Sequence, residues 1–322
     1  MESMTGKYEI EIYNNRVHYF LCVKRNITIL EGDSATGKSE LLRLIESYEE
    51  NGASSGITMK SSVRCTVLNN IDWVLRLEAL SGNIIFIDET ASFLSSKKFA
   101  SLVRGSDNYF VIITRDALKA LPYSIDEIYG LRNVTEADRY RSFKCVYNEM
   151  YRLYHLDGNL PFHPDVVITE DSNSGFDFFN LLYGDRCISS HGKSNVYNEI
   201  KKNRGRKILA VVDGAAFGCE IAKVMDYLMT EMCDCVIYAP ESFEFLILKA
   251  GIIDVPDAVL EKTYDYADSR EYISWEEFYE TYLSDRTRNT VYQYGKSRLG
   301  DYYRNDTIVK KIKAVIPLLV IS

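Results

Sequence analysis

No apolar stretch of this chain approaches the roughly 18 residues that a membrane-spanning helix needs, so no function that depends on a helical span is expected. Basic charge is also scarce. Lys and Arg number 38 against 46 Asp and Glu, and the net charge of −8 argues against non-specific nucleic-acid binding by the whole surface. Paired cysteines are missing as well. The seven (Cys22, Cys65, Cys145, Cys187, Cys219, Cys233 and Cys235) are odd in number and lack metal-ligand spacing, which excludes a disulfide framework and a cysteine-built zinc site. The segment from Met1 to Glu11 is polar and acidic, unlike a signal peptide, and a reduced cytoplasmic setting is expected. What is there is ordinary for a folded protein: 322 residues, 46% hydrophobic and 26% charged, enough for two domains that each bury a core. One basic stretch, Lys201, Lys202, Arg204, Arg206 and Lys207, reads as a solvated helix end or a local nucleic-acid contact.

The strongest signal is contiguous. Residues 26 to 31 form an apolar, β-prone run that passes into Gly32-Asp33-Ser34-Ala35-Thr36-Gly37-Lys38-Ser39, and Leu41, Leu44, Ile45 and Tyr48 follow at helical spacing. A loop that turns its backbone N–H groups around phosphate oxygens favours glycine at the tight positions. In such a loop Lys38 reaches the β/γ-phosphates and Ser39 offers its hydroxyl to Mg²⁺. Strand, loop and helix together point to a nucleoside triphosphate held at a helix N-terminus.

A metal held by Ser39 needs an acidic partner, and Ile84-Ile85-Phe86-Ile87 leads to Asp88. Asp88 is the expected carboxylate toward Mg²⁺, and Glu89 follows where a water-activating base would sit, which favours hydrolysis over binding alone. A third apolar run, Tyr109 to Ile113, ends in Thr114-Arg115. If these strands are parallel their C-terminal ends share an edge, and Thr114 or Arg115 is placed to sense the γ-phosphate.

Tyr8, Ile10 and Ile12 alternate with Glu9 and Glu11 before Asn14-Asn15, a hairpin signal leading to Val17–Val23. A short β-like run starts at Val63, and Ile71, Val74, Leu75 and Leu80 suggest a helix. Together these give an α/β domain over residues 1–150. Asp157-Gly158-Asn159-Leu160-Pro161 and Pro164 then punctuate the chain, with the boundary near 150 to 163. A fresh alternation covers 163–250. Its apolar runs end at Glu170-Asp171, at Asp213-Gly214, and before Glu241 and Glu244. Parallel strands would bring Glu170, Asp213 and Glu241 or Glu244 to one edge, an oxygen-ligand set for Mg²⁺ or Mn²⁺; acidic residues also follow strands as helix caps. Over 251–322, Trp275, Phe278, Tyr279 and Tyr282, then Ile308, Ile312, Val315 and Ile316, share helical spacing and predict a helical C-terminal tail.

Glu170 after one strand and Asp213 after a later one resemble the topoisomerase–primase (Toprim) domain, in which a glutamate and an Asp-x-Asp pair hold the metal for phosphodiester chemistry. A P-loop NTPase domain joined to such a domain resembles the overcoming-lysogenization-defect ATPase–nucleases of bacterial and phage defence, over roughly residues 20 to 250. Gly192-Lys193-Ser194-Asn195-Val196 falls where those nucleases carry a Gly-Lys segment. Asp213-Gly214-Ala215 has one aspartate where the family pair has two, and Asp171 stands in the place of a glycine. Leu80-Ser81-Gly82 abuts its strand and is no separate ATPase signature.

The motifs call for ATP and Mg²⁺ as cofactors, with Glu89 and Lys38 catalytic and Ser39 and Asp88 toward the metal. The resemblance adds Glu170 and Asp213 as ligands of a second Mg²⁺ or Mn²⁺, with Glu244 as the candidate for the ligand that Ala215 does not supply. It further implies DNA or RNA or a partner protein as partners, and a homo-oligomer. Three functions remain open: an ATP-driven nuclease, an ATPase switch whose second domain binds without cutting, and a small-molecule kinase, for which no arginine lid is identifiable.

Overall fold

The computed structural model describes residues 4–32, 37–134, 145–156 and 163–316. Asp33, Ser34, Ala35 and Thr36 of the glycine-rich loop lie outside the described residues. The chain forms two compact α/β units. One comprises residues 1–154 together with 264–273, the other 155–263 together with 274–322. The 251–322 segment, expected as a helical tail, is therefore divided between them.

The first unit is built on β1 (Tyr8–Tyr13), β2 (Val17–Val23), β3 (Ile27–Leu30), β4 (Thr58–Lys60), β5 (Cys65–Val67), β6 (Ile84–Ile87), β7 (Tyr109–Ile113), β8 (Ile128–Val134) and β9 (Val146–Arg152). They form one mixed sheet in the order β4-β1-β2-β9-β8-β3-β7-β6-β5. The alternation of the first hairpin sets its register: Ile10 opposes Leu21 and Ile12 opposes Tyr19, all buried, while Glu9 and Glu11 face outward. β3, β6 and β7 have no such alternation, because every residue in them is buried. Continuous apolar runs of this kind suit parallel strands covered on both faces, and β3-β7-β6-β5 are parallel throughout. α1 (Lys38–Asn51) buries Leu41, Leu44 and Ile45 against the sheet, as its spacing predicts.

α2 (Trp73–Ala79) turns differently from its sequence pattern. Leu77 is its buried residue, whereas Ile71 and Leu75, two of the residues whose spacing suggests the helix, are 72% and 69% exposed, and Ile71 precedes it. The large ring decides the face: Trp73 stacks on Phe93 with centroids 4.5 Å apart. α3 (Lys97–Val103) is capped by Ser96, whose hydroxyl accepts from the Phe99 N–H. Residues 264–273 return as a strap at the start of β3. The Asn26 amide donates to Ser269 O (2.8 Å) and Tyr272 O (3.0 Å), and Ser269 N donates to Met4 O (3.1 Å).

The second unit carries β10 (Val166–Thr169), α4 (Ser174–Tyr183), β11 (Cys187–Ser189), α5 (Lys193–Lys202), β12 (Ile208–Val211), α6 (Gly218–Glu231), β13 (Cys235–Tyr238) and α7 (Phe243–Lys249). The strands are parallel in the order β11-β10-β12-β13. α8 (Asp257–Glu261), α9 (Trp275–Thr287) and α10 (Asp306–Ala314) complete it. α9 packs on α7 through Tyr279 and Phe245, whose rings lie 5.1 Å apart, so the aromatic spacing read in the sequence marks core. Residues 288–305 contain no α-helix.

Candidate functional site

β3 ends at Leu30, and α1 starts at Lys38 after a Gly37 in left-handed conformation, φ 89°. Glycine is required at that joint twice over: the dihedral disfavours a side chain, and an added Cβ would lie 2.7 Å from the Tyr19 hydroxyl. Lys38 is buried, and its ammonium donates to Gly32 O at 2.7 Å, closing the loop across its mouth.

Because β3, β7 and β6 are parallel, the residues that follow them share one sheet edge. There Ser39 and Asp88, 49 positions apart in sequence, line one cavity of about 240 Å³ with Arg43, Asn69, Asn70 and Thr90. Ser39 is exposed to that space, and Asp88 Oδ1 accepts from Thr90 N at 2.8 Å. Glu89 is exposed. The buried Thr114 hydroxyl accepts from Asp116 N at 3.0 Å, which ties it to its own turn, and Arg115 is exposed.

Asn70 has no motif to announce it, yet it holds the loop after Asp88. Its amide donates to Thr90 O (3.2 Å), and its oxygen accepts from Ser92 N (2.9 Å) and Ser92 Oγ (3.0 Å). A larger hollow of about 940 Å³ against β1, β2 and β9 contains none of the sequence-predicted residues.

In the second unit the carboxylates do come to one edge, after parallel strands. Glu170 follows β10 and accepts from Asp213 N at 3.0 Å through Oε2. Asp213 follows β12. Gly214 is pressed against the chain after β13, where a Cβ would meet Ala239 O at 2.6 Å. Ala215 is buried, so no second aspartate is brought there. Between them Glu170, Asp171 and Asp213 edge a recess of about 20 Å³, room for about one water molecule or one bare ion.

Of the two acidic candidates after β13, Glu244 is the buried one, and it is already engaged. Tyr294 Oη donates to its Oε1 at 2.6 Å and lies 2.6 Å from Ser174 Oγ. Lys296 donates to Glu276 Oε1 (2.8 Å) and Glu280 Oε2 (2.7 Å) and acts electrostatically on Glu244 and Asp171. Among the described residues no three His, Cys, Asp or Glu side chains stand together as a ready metal-ligand group. The basic stretch sits elsewhere. It precedes β12, at the opposite sheet edge, with Lys202 paired to Glu199 and Arg204 to Glu231, both at 2.6 Å.

Burial and mutual repulsion dominate the electrostatics of this edge. Burial pushes the Glu170 carboxyl up to about 7, against its Asp213 N–H, and Asp213 is held well above the usual carboxylate range by burial and by Glu276, Glu170 and Glu244. The folded chain thus binds more protons at Glu170 than the unfolded chain between about 4.5 and 7, and this group's contribution to stability is lost as pH rises through that window. Glu170→Gln removes the dependence. In chemical denaturation the variant is expected to gain on the native chain as pH rises toward 8, a gain that vanishes near pH 4. A gain independent of pH would show that packing, not charge, sets the difference.

No protein-family model matches this sequence, and no curated protein sequence matches it. Among the described residues no helix is long and apolar enough to cross a membrane.

Proposed function

We propose that the first unit is a P-loop NTPase domain that binds ATP with Mg²⁺ and hydrolyses it. We further propose that the second is a Toprim-like domain that takes up Mg²⁺ or Mn²⁺ for cleavage of DNA or RNA under control of the nucleotide. The observation that carries the ATP reading is the cavity shared by Ser39 and Asp88 at the C-terminal edge of parallel strands, beside the mouth that Lys38 closes. In this reading Lys38 leaves Gly32 O for the β/γ-phosphates, and Ser39 and Asp88 supply hard oxygen donors suited to Mg²⁺. Glu89 takes a proton from the attacking water. A Mg²⁺ ion held by Ser39 and Asp88 would supply charge neutralisation at the phosphates. Calorimetric titration with ATP and Mg²⁺, with phosphate release in parallel, tests it; the expected result is binding with turnover, and neither would refute the assignment.

For the second unit, Glu170 and Glu244 both act electrostatically on Asp213, and oxygen-only donors of this kind suit a hard divalent cation, which would supply charge neutralisation at a phosphodiester. A second reading, an ATPase switch with a non-cleaving module, is favoured by the Tyr294 hydroxyl on Glu244 and by the Lys296 ammonium beside the cluster. Plasmid and single-stranded DNA incubated with the protein, with and without ATP, in Mg²⁺ and Mn²⁺, separate them. Metal-dependent cleavage supports the nuclease, and its absence in every condition supports the switch.

A further inference from the structure

We propose that Tyr19, on a strand outside the nucleotide motif, is a positioning residue that sets the backbone of the nucleotide-binding loop where it enters α1. The inference rests on the reading of residues 32–39 as an ATP site. Tyr19 lies at the middle of β2, 1% exposed, in a buried cluster with Leu41, Leu44 and Ile45 of α1. Its hydroxyl donates to Gly37 O at 2.9 Å, and the same oxygen accepts from Leu41 N at 2.9 Å.

Two donors on one carbonyl fix the direction in which that peptide points. The peptide between Gly37 and Lys38 is planar and trans, so its C=O and N–H are antiparallel. With the Gly37 carbonyl drawn back toward Tyr19 and Leu41, the Lys38 N–H is turned the other way, out of the helix N-terminus. There it is one of the N–H groups in the first turn of α1. Those groups are the ones an anion at the helix start engages.

Gly37 alone would not hold this geometry. Its missing side chain gives the joint access to several conformations besides the left-handed one with φ of 89°, so contacts around it have to select that one. Tyr19 supplies such a contact from above, and the tight fit of its hydroxyl over Gly37 leaves no room for a Cβ there. Burial pushes the Tyr19 hydroxyl up to about 12, with Glu40 adding to the rise and Arg43 opposing it, so the group stays a donor through the neutral range.

Tyr19→Phe keeps the ring and its packing and removes one donor. The expected result is a Kd for ATP with Mg²⁺, by calorimetry, and a KM in phosphate release that both rise about fivefold, the loss of one ordinary hydrogen bond. kcat and the nucleotide-free melting temperature should stay close to native. An unchanged Kd overturns the inference, whether or not the melting temperature moves, because a packing role alone would lower stability and leave affinity intact. If the native chain itself binds no ATP, the reading of the loop fails first, and this inference falls with it for a reason visible in the control.

Discussion

Glu89→Gln is expected to bind ATP as tightly as the native chain while releasing phosphate roughly 10²-fold more slowly or worse, because the amide keeps size and hydrogen bonding but cannot take a proton from water. The placement behind this expectation is specific. Glu89 follows β6 directly, is exposed at the edge that carries Ser39 and Asp88, and sits in a loop that Asn70 pins at Thr90 and Ser92. Stopped turnover with intact titration heats is the supporting pattern. Unaltered turnover would move the base to another residue. Asn70→Ala offers an internal comparison: it leaves every proposed phosphate and metal contact in place but frees the loop, so kcat should fall further than affinity.

Lys38→Ala should weaken ATP binding tenfold or more, consistent with about 1.5–3 kcal/mol for a hydrogen bond to a charged group. The same ammonium donates to Gly32 O, so the substitution removes both the ligand contact and the brace across the loop mouth. Measuring Kd for ATP and, separately, the nucleotide-free melting temperature divides the two effects. An ATP affinity equal to native would refute the assignment of residues 32–39.

The parts of these sites that could be read in the sequence are those whose chemistry is local. The run from Gly32 to Ser39 is contiguous, and β10, β12 and β13 are short apolar runs that each stop near an acidic residue, so both the loop and the carboxylate edge could be read without knowing a contact. Parallel pairing, which brings the strand ends together, follows from runs with no polar alternation. The failures are long-range. Tyr294 reaches Glu244 across 50 positions, and Tyr19 reaches Gly37 across 18, with no motif at the tyrosine end. α2 misled for another reason: its few apolar residues fit more than one face, and the Trp73–Phe93 stack chose. Glu241 and Glu244 were indistinguishable by position after β13, and only burial separates them.

The strap at residues 264–273 makes the first unit discontinuous along the chain, with the segment 155–263 inserted between its parts. Such a molecule cannot be reshuffled as two beads on a string. A chain cut off anywhere between 155 and 263 lacks Ser269 and Tyr272 and leaves the buried Asn26 amide without these two acceptors. A gene fragment that ends before 264 encodes all nine described strands of the large sheet and still lacks a piece of that unit's fold.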